Sequence, residues 1–111
     1  MVTKYSLYWT PEAKRDLKPI FDYIASVESR ERALYVIAGI RAETKEIVIF
    51  PTKHPNEPYI NRDNVRFAVK WSYKIVFEIK ENTIRILSVF HTAQNPNKFV
   101  EKIKKHNKIK T

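Results

Sequence analysis

The apolar residues of this chain change period twice, and no other feature limits its fold as tightly. Over residues 2–9 they alternate, with Tyr5, Leu7 and Trp9 on one side and Lys4, Ser6 and Tyr8 on the other, as in a half-buried strand. From Ala13 onward the spacing becomes four, four and three, through Leu17, Phe21 and Ile24, which is one stripe of a helix reaching about Val27. Thr10-Pro11-Glu12 reads as its start: a capping hydroxyl, Pro at the first helical position, and an acid at the positive end of the helix dipole. Pro19 lies inside the stripe and is expected to kink or split the helix. Ser29 can cap a second helix with the stripe Ala33, Ile37, Ile40, Thr44 and Ile47, flanked by Leu34 and Val48, ending before Pro51. A turn of a few residues between the two helices predicts an antiparallel hairpin.

Pro51, Pro55, Pro58, Asn56, Asn61 and Asn64 mark 51–64 as an irregular loop. The period then returns to two. Strands are expected over 65–71, 73–80 and 83–91, the last after a turn at Glu81-Asn82. Asn95-Pro96 breaks the chain, and Phe99 to Lys105 can form a short terminal helix. The order is strand, helix, helix, three strands joined as an antiparallel meander, and a short C-terminal helix. This is an α+β architecture with a helical hairpin on one face of a small sheet. The 111 residues form a single domain, 1–111, whose last part, about 97–111, is a basic helix or tail.

Composition narrows the chemistry. There is no Cys, and His54, His91 and His106 are too scattered for a metal site, so no metal or cofactor is expected. The only glycine, Gly39, falls within a helix, so no glycine-rich phosphate loop exists. No apolar run approaches the roughly 20 residues of a membrane span, and the N-terminus has no apolar signal core. No membrane partner is expected, and a cytoplasmic location is. The net charge of +9 favours a polyanionic or acidic partner. From Asn97 to Thr111 there are six Lys against one Glu.

Strand alternation sorts the candidate residues. The apolar sets Val65, Phe67, Val69 and Trp71, then Tyr73, Ile75, Phe77 and Ile79, then Ile84, Ile86, Ser88 and Phe90 are expected to face the helices. The opposite, uncovered face would gather Arg66, Lys70, Lys74 and His91, lined in part by Val76, Leu87 and Val89. A basic cluster with one His could hold a phosphodiester and exchange a proton with it; equally, it could be an ordinary solvated sheet face. Arg85, Lys98 and Lys102 join Lys70 as candidate contacts to nucleic acid or another target. Trp9 and Trp71 are expected in the core, and His54 and His106 in solvent.

The segments Tyr73-Lys74-Ile75-Val76-Phe77-Glu78-Ile79, Ile84-Arg85-Ile86-Leu87-Ser88-Val89-Phe90-His91-Thr92 and Gln94-Asn95-Pro96 resemble the RelE/ParE toxin superfamily of type II toxin–antitoxin systems. The opening strand followed by Thr10-Pro11-Glu12-Ala13 and Asp16-Leu17 is similar as well, so the resemblance covers about residues 2–100. It implies a toxin neutralised by a cognate antitoxin. In RelE-like relatives the activity is cleavage of mRNA on the ribosome. The residues here that match would be Lys74 and Arg66, stabilising charge on the phosphate, and His91, acting as acid or base. ParE-like relatives instead inhibit DNA gyrase without a catalytic site. Thr92-Ala93-Gln94 stands where Arg is common in the ribonucleases, and no Tyr follows Tyr73. Both departures favour the ParE-like reading. The alternatives are the RelE-like endoribonuclease and a non-catalytic basic domain that binds nucleic acid.

Overall fold

The computed structural model describes residues 4–60, 62 and 64–93. Its elements run β1 (Ser6–Trp9), α1 (Pro11–Val27), α2 (Arg30–Ile49), a 3-10 turn (Pro51–Lys53), β2 (Val65–Lys70), β3 (Tyr73–Lys80) and β4 (Thr83–His91). The expected terminal helix, with Lys98, Lys102 and His106, lies outside the described residues. The four strands form one sheet in the order β1-β4-β3-β2. β2, β3 and β4 make the antiparallel meander, and β1 pairs parallel to β4, with Leu7 opposite Ile84 and Trp9 opposite Ile86. β1 begins later than the alternation suggested, at Ser6.

Both helix starts are built as the sequence dictates. The Thr10 hydroxyl accepts from the Ala13 N–H at 3.2 Å and donates to the Ile86 carbonyl at 2.7 Å. It thus caps α1 and ties that cap to β4. The Ser29 hydroxyl accepts from the Arg32 N–H at 3.0 Å. α1 is not split at Pro19; it runs unbroken from Pro11 to Val27. Pro19 is exposed, so the Arg15 carbonyl it leaves without a donor can be hydrated, while Leu17 and Ile24 on either side stay buried. The hairpin packs on one face of the sheet around Ala13, Leu17, Ile24, Ala33, Val36, Ile40, Ile47, Ile75, Phe77, Ile84 and Ile86. Phe77 is fully buried at its centre, and burying such a side chain contributes about 1.5–3 kcal/mol. Val36 is buried more deeply than Ile37, a shift of one position in the expected stripe.

Two local features re-aim the strands. The β2–β3 turn is Trp71-Ser72, with Lys70 opposite Tyr73. Residues flanking a two-residue turn share a face, so Arg66, Ala68 and Lys70 stand on the helix side with Phe77, Ile75 and Tyr73. Val65, Phe67 and Val69 point the other way. The expected faces of this strand are therefore reversed. In β4, Val76 is paired with Ser88 but Phe77 with Ile86, so Leu87 is the extra residue of a β-bulge. Beyond it the alternation flips: Val89 joins the helix-side core and Phe90 the outer face. His91, opposite Tyr73, follows Val89.

The bulge is held from α1. The Asp16 carboxylate accepts from the Val89 N–H at 3.0 Å and from the Ser88 hydroxyl at 3.2 Å. Trp71 is a departure too. Its φ is +54°, a left-handed position that a bulky side chain enters at a cost on the order of 1 kcal/mol or more. Glu81 holds the same place in the β3–β4 turn, at +56°. The Trp71 ring, expected in the core, is 47% exposed and lies across α2 at Gly39, where a Cβ would overlap Cη2 and Cζ3 of the indole. A glycine inside a helix costs roughly 0.5–1 kcal/mol relative to Ala, so the sole glycine is placed at the one helical position where the indole requires it.

Removal of the Asp16 carboxylate leaves the Val89 N–H and the Ser88 hydroxyl without their acceptor. Asp16→Ala is expected to lower stability by about 1–3 kcal/mol in urea unfolding. A loss below a few tenths of a kcal/mol would mean that the bulge is held by the sheet alone.

Candidate functional site

The outer sheet face, expected to be bare and basic, is covered in part by residues 55–60 of the proline-rich loop. The Glu57 N–H donates to the Val65 carbonyl at 2.9 Å, and the Phe67 N–H to the Pro55 carbonyl at 3.1 Å. The loop thereby adds a short bridge at Asn56 to the free edge of β2, a common way of closing an exposed edge. Ile60 comes down onto Val65, Val76, Leu87 and Phe90, with Phe67 beside them, as a second small core.

Lys74 lies at the rim of this second core. Its Nζ is 2.7 Å from the Glu57 carboxylate, whose side chain is fully buried, while the Lys74 side chain is 14% exposed. The ammonium also sits 4.3 Å from the Phe67 ring centroid, 5.6 Å from that of Tyr59 and 6.0 Å from that of Phe90. A cation wrapped by three rings and facing a buried carboxylate has its charge compensated where it stands. Arg85 is matched in the same way. It donates to Glu78 Oε1 at 2.8 Å, while Arg62 and Asn64 approach the other carboxylate oxygen. Glu78 is nearly buried, so these partners neutralise a charge inside the sheet face.

The other candidates are elsewhere. Arg66 is on the helix side, where its guanidinium donates to the carbonyls of His54 at 2.6 Å and Thr52 at 3.4 Å, tying the loop to β2. His54, expected in solvent, is half-buried with its ring edge-on to Phe77, 5.7 Å between centroids. Burial first, then the nearby positive charge of Lys53, holds its pKa below the ordinary value, so the neutral ring is favoured. His91 is exposed, and its Nδ1 accepts from the Ala93 N–H at 3.0 Å. Its ring meets that of Tyr73 edge-on at 5.4 Å. Burial, followed by the proximity of Tyr23 and Glu28, raises the Tyr73 phenol above its usual pKa, so it stays protonated. Lys70 lies over the Trp71 ring at 4.7 Å.

The structure therefore does not bring Arg66, Lys70, Lys74 and His91 onto one open face. Lys74 is on the outer side, and Arg66 and His91 are on the helix side. Arg66 is opposite Phe77 on β2, and His91 is opposite Tyr73 on β4. Two strand spacings across and four residues along put their backbones on the order of 15 Å apart. Sequence reasoning missed Glu57, an acid in a proline-rich loop, because nothing local says that the loop folds back over the sheet. It also missed the pairing of Gly39 with Trp71. The signal for the reversed face of β2 was present in the turn, since a strand running through Trp71 leaves only Ser72 to join it to β3.

Comparison with known proteins agrees with this fold. Residues 7–96 match the model of the ParE toxin of type II toxin–antitoxin systems, from parDE. The chain belongs to that family. Among solved structures it is similar to a chain of the chromosomal ParDE toxin–antitoxin system of P. aeruginosa, at 25% identity and a TM-score of 0.69, covering 80% of this chain and 97% of that one. A chain of the RelBE2 toxin–antitoxin complex of Mycobacterium tuberculosis shares the fold at 19% identity and a TM-score of 0.57, covering 85% and 98%. No curated protein sequence matches the chain significantly.

The Lys74–Glu57 pair carries an energetic prediction. Lys74→Ala would strand a carboxylate that has no solvent access, and removal of one partner of a buried pair costs about 3–5 kcal/mol. Urea unfolding of Lys74→Ala is expected to show a loss of that order, with Glu57→Gln in the same background recovering part of it. A loss below about 1 kcal/mol would place Lys74 among solvated surface lysines.

Proposed function

We propose that this chain is a growth-inhibiting toxin of the non-catalytic, ParE-like kind, which acts by binding DNA gyrase and is held inactive by a cognate antitoxin. The observation that carries this reading is the state of Lys74. The residue best matched to a phosphate-stabilising role is already paired with Glu57 and enclosed by Phe67, Tyr59 and Phe90. A donor of that kind must be aimed at the developing charge and free to meet it, and an internal carboxylate competes for the same ammonium. Arg66 is likewise engaged with loop carbonyls, and His91 stands apart from both. Inhibition by binding asks for no such convergence. Membership of the ParE toxin family points the same way.

The antitoxin is inferred from that family and from the similarity to proteins solved as toxin–antitoxin systems. A charge of +9 suits an acidic segment that becomes ordered as it binds, which lets a short stretch of chain cover a large surface.

Induction of the wild type and of His91→Ala tests the mechanism. Both are expected to arrest growth and reduce plasmid supercoiling, without new mRNA 5′ ends inside coding regions, and co-expression of the antitoxin is expected to restore growth. New ends that require translation and vanish in His91→Ala would replace this reading with the ribosome-dependent endoribonuclease. Growth unaffected by induction would leave a basic domain that binds nucleic acid.

A further inference from the structure

Trp71 is held in place by two unfavourable local choices. Its backbone is left-handed in a turn position where Gly or Asn is the usual occupant, and the only glycine of the chain interrupts α2 beneath it. Both serve a ring that remains 47% exposed. If the indole only served the core, the same position would be expected to bury it. Glu81 is left-handed at the same place in the β3–β4 turn, so what sets Trp71 apart is the glycine cleared on α2 beneath its exposed ring.

The surroundings of the ring make it a binding surface. Tyr35, 58% exposed on α2, stacks beside the indole with centroids 5.5 Å apart and planes tilted by 31°. Lys70 caps Trp71, and Arg32 lies over Tyr35 at 5.3 Å. Rigid Trp and Tyr side chains flanked by cations are the composition of interface hot spots, because large apolar area is presented with little entropy left to lose. Arg32 is shared with Glu28, 3.7 Å from its Nε, so Lys70 sets the net charge of the rim: the complement lays an apolar group on the indole edge and a carboxylate against Lys70. A nucleic-acid base would need an open ring face to stack on, and here Lys70 and Tyr35 already lie against the indole.

We infer that the Trp71–Tyr35 patch with Lys70 and Arg32 is the surface through which this toxin grips an acidic protein face of its target. This inference rests on the proposed gyrase-binding function and names the contact for it.

The test uses purified DNA gyrase, the full-length chain, and two variants on the patch. Trp71→Asn removes the indole while suiting the left-handed turn, and Lys70→Glu reverses the rim charge. Folding is checked by circular dichroism. Each variant is expected to raise the concentration needed to inhibit supercoiling by about ten-fold or more, while still forming the complex with the antitoxin. Inhibition within about two-fold of wild type by both folded variants would overturn the inference. So would unchanged gyrase inhibition accompanied by weaker binding of the antitoxin, or of a single-stranded oligonucleotide, since either would give the patch a different occupant. A wild-type chain that leaves gyrase untouched would remove the proposed function itself, and the inference with it.

Discussion

Glu57 is buried without solvent contact, and an isolated carboxylate in that position would be heavily penalised. Its pairing with Lys74 is therefore the interaction on which the outer half of the molecule depends. The pair fixes where the 51–64 loop comes down, and the loop in turn closes the edge of β2 and brings Ile60 over Val65, Val76, Leu87 and Phe90. Arg66 ties the other end of the same loop through the carbonyls of Thr52 and His54. A face that would otherwise offer phosphate-binding cations is converted into a second small core with a matched charge at its rim. Such pairs add little net stability over apolar replacements, but they strongly penalise any arrangement in which one partner is left alone. That asymmetry favours the observed position of Glu57 over any that leaves either partner unpaired.

Much of the fold was legible because local signals and tertiary packing agree. Thr10-Pro11 and Ser29 start helices where they should, and Ala13, Leu17 and Ile24 bury the face that their spacing implies. Phe77 and Ile86 face the helices, as the strand alternation required. The errors fall at places where one residue changes the parity of a strand. Trp71 belongs to the turn, which reverses Arg66 and Lys70, and Leu87 is an insertion that reverses Phe90 and His91. A bulge has no local signature in the apolar pattern, because Ile86-Leu87-Ser88-Val89-Phe90 offers apolar residues to both faces. Its acceptor, Asp16, lies 73 residues away. The candidate site inherited both parity errors, and for that reason a single basic face dissolves into separate groups with separate partners.

What remains exposed is also informative. The core-forming residues explain the layers, but they do not explain why the only glycine interrupts α2 or why a Trp adopts a left-handed turn. Those two departures meet at one point, on the helix-side end of the β2–β3 turn, away from the covered outer face. The molecule thus divides its polar and aromatic groups in two. Lys74, Phe67 and Phe90 look inward and stabilise the loop, while Trp71, Tyr35 and Lys70 are presented outward. The proposed inhibition by binding calls for a rigid outward surface and for no convergent set of catalytic groups.

The role proposed for Lys74 is in the fold and not in a reaction. The most direct measurement is growth arrest by the double variant Glu57→Leu with Lys74→Met, which replaces the ion pair by apolar side chains of similar size and can be neutral or stabilising. The double variant is expected to fold and to arrest growth as the wild type does. A folded double variant that has lost its toxicity, at wild-type expression, would contradict that role.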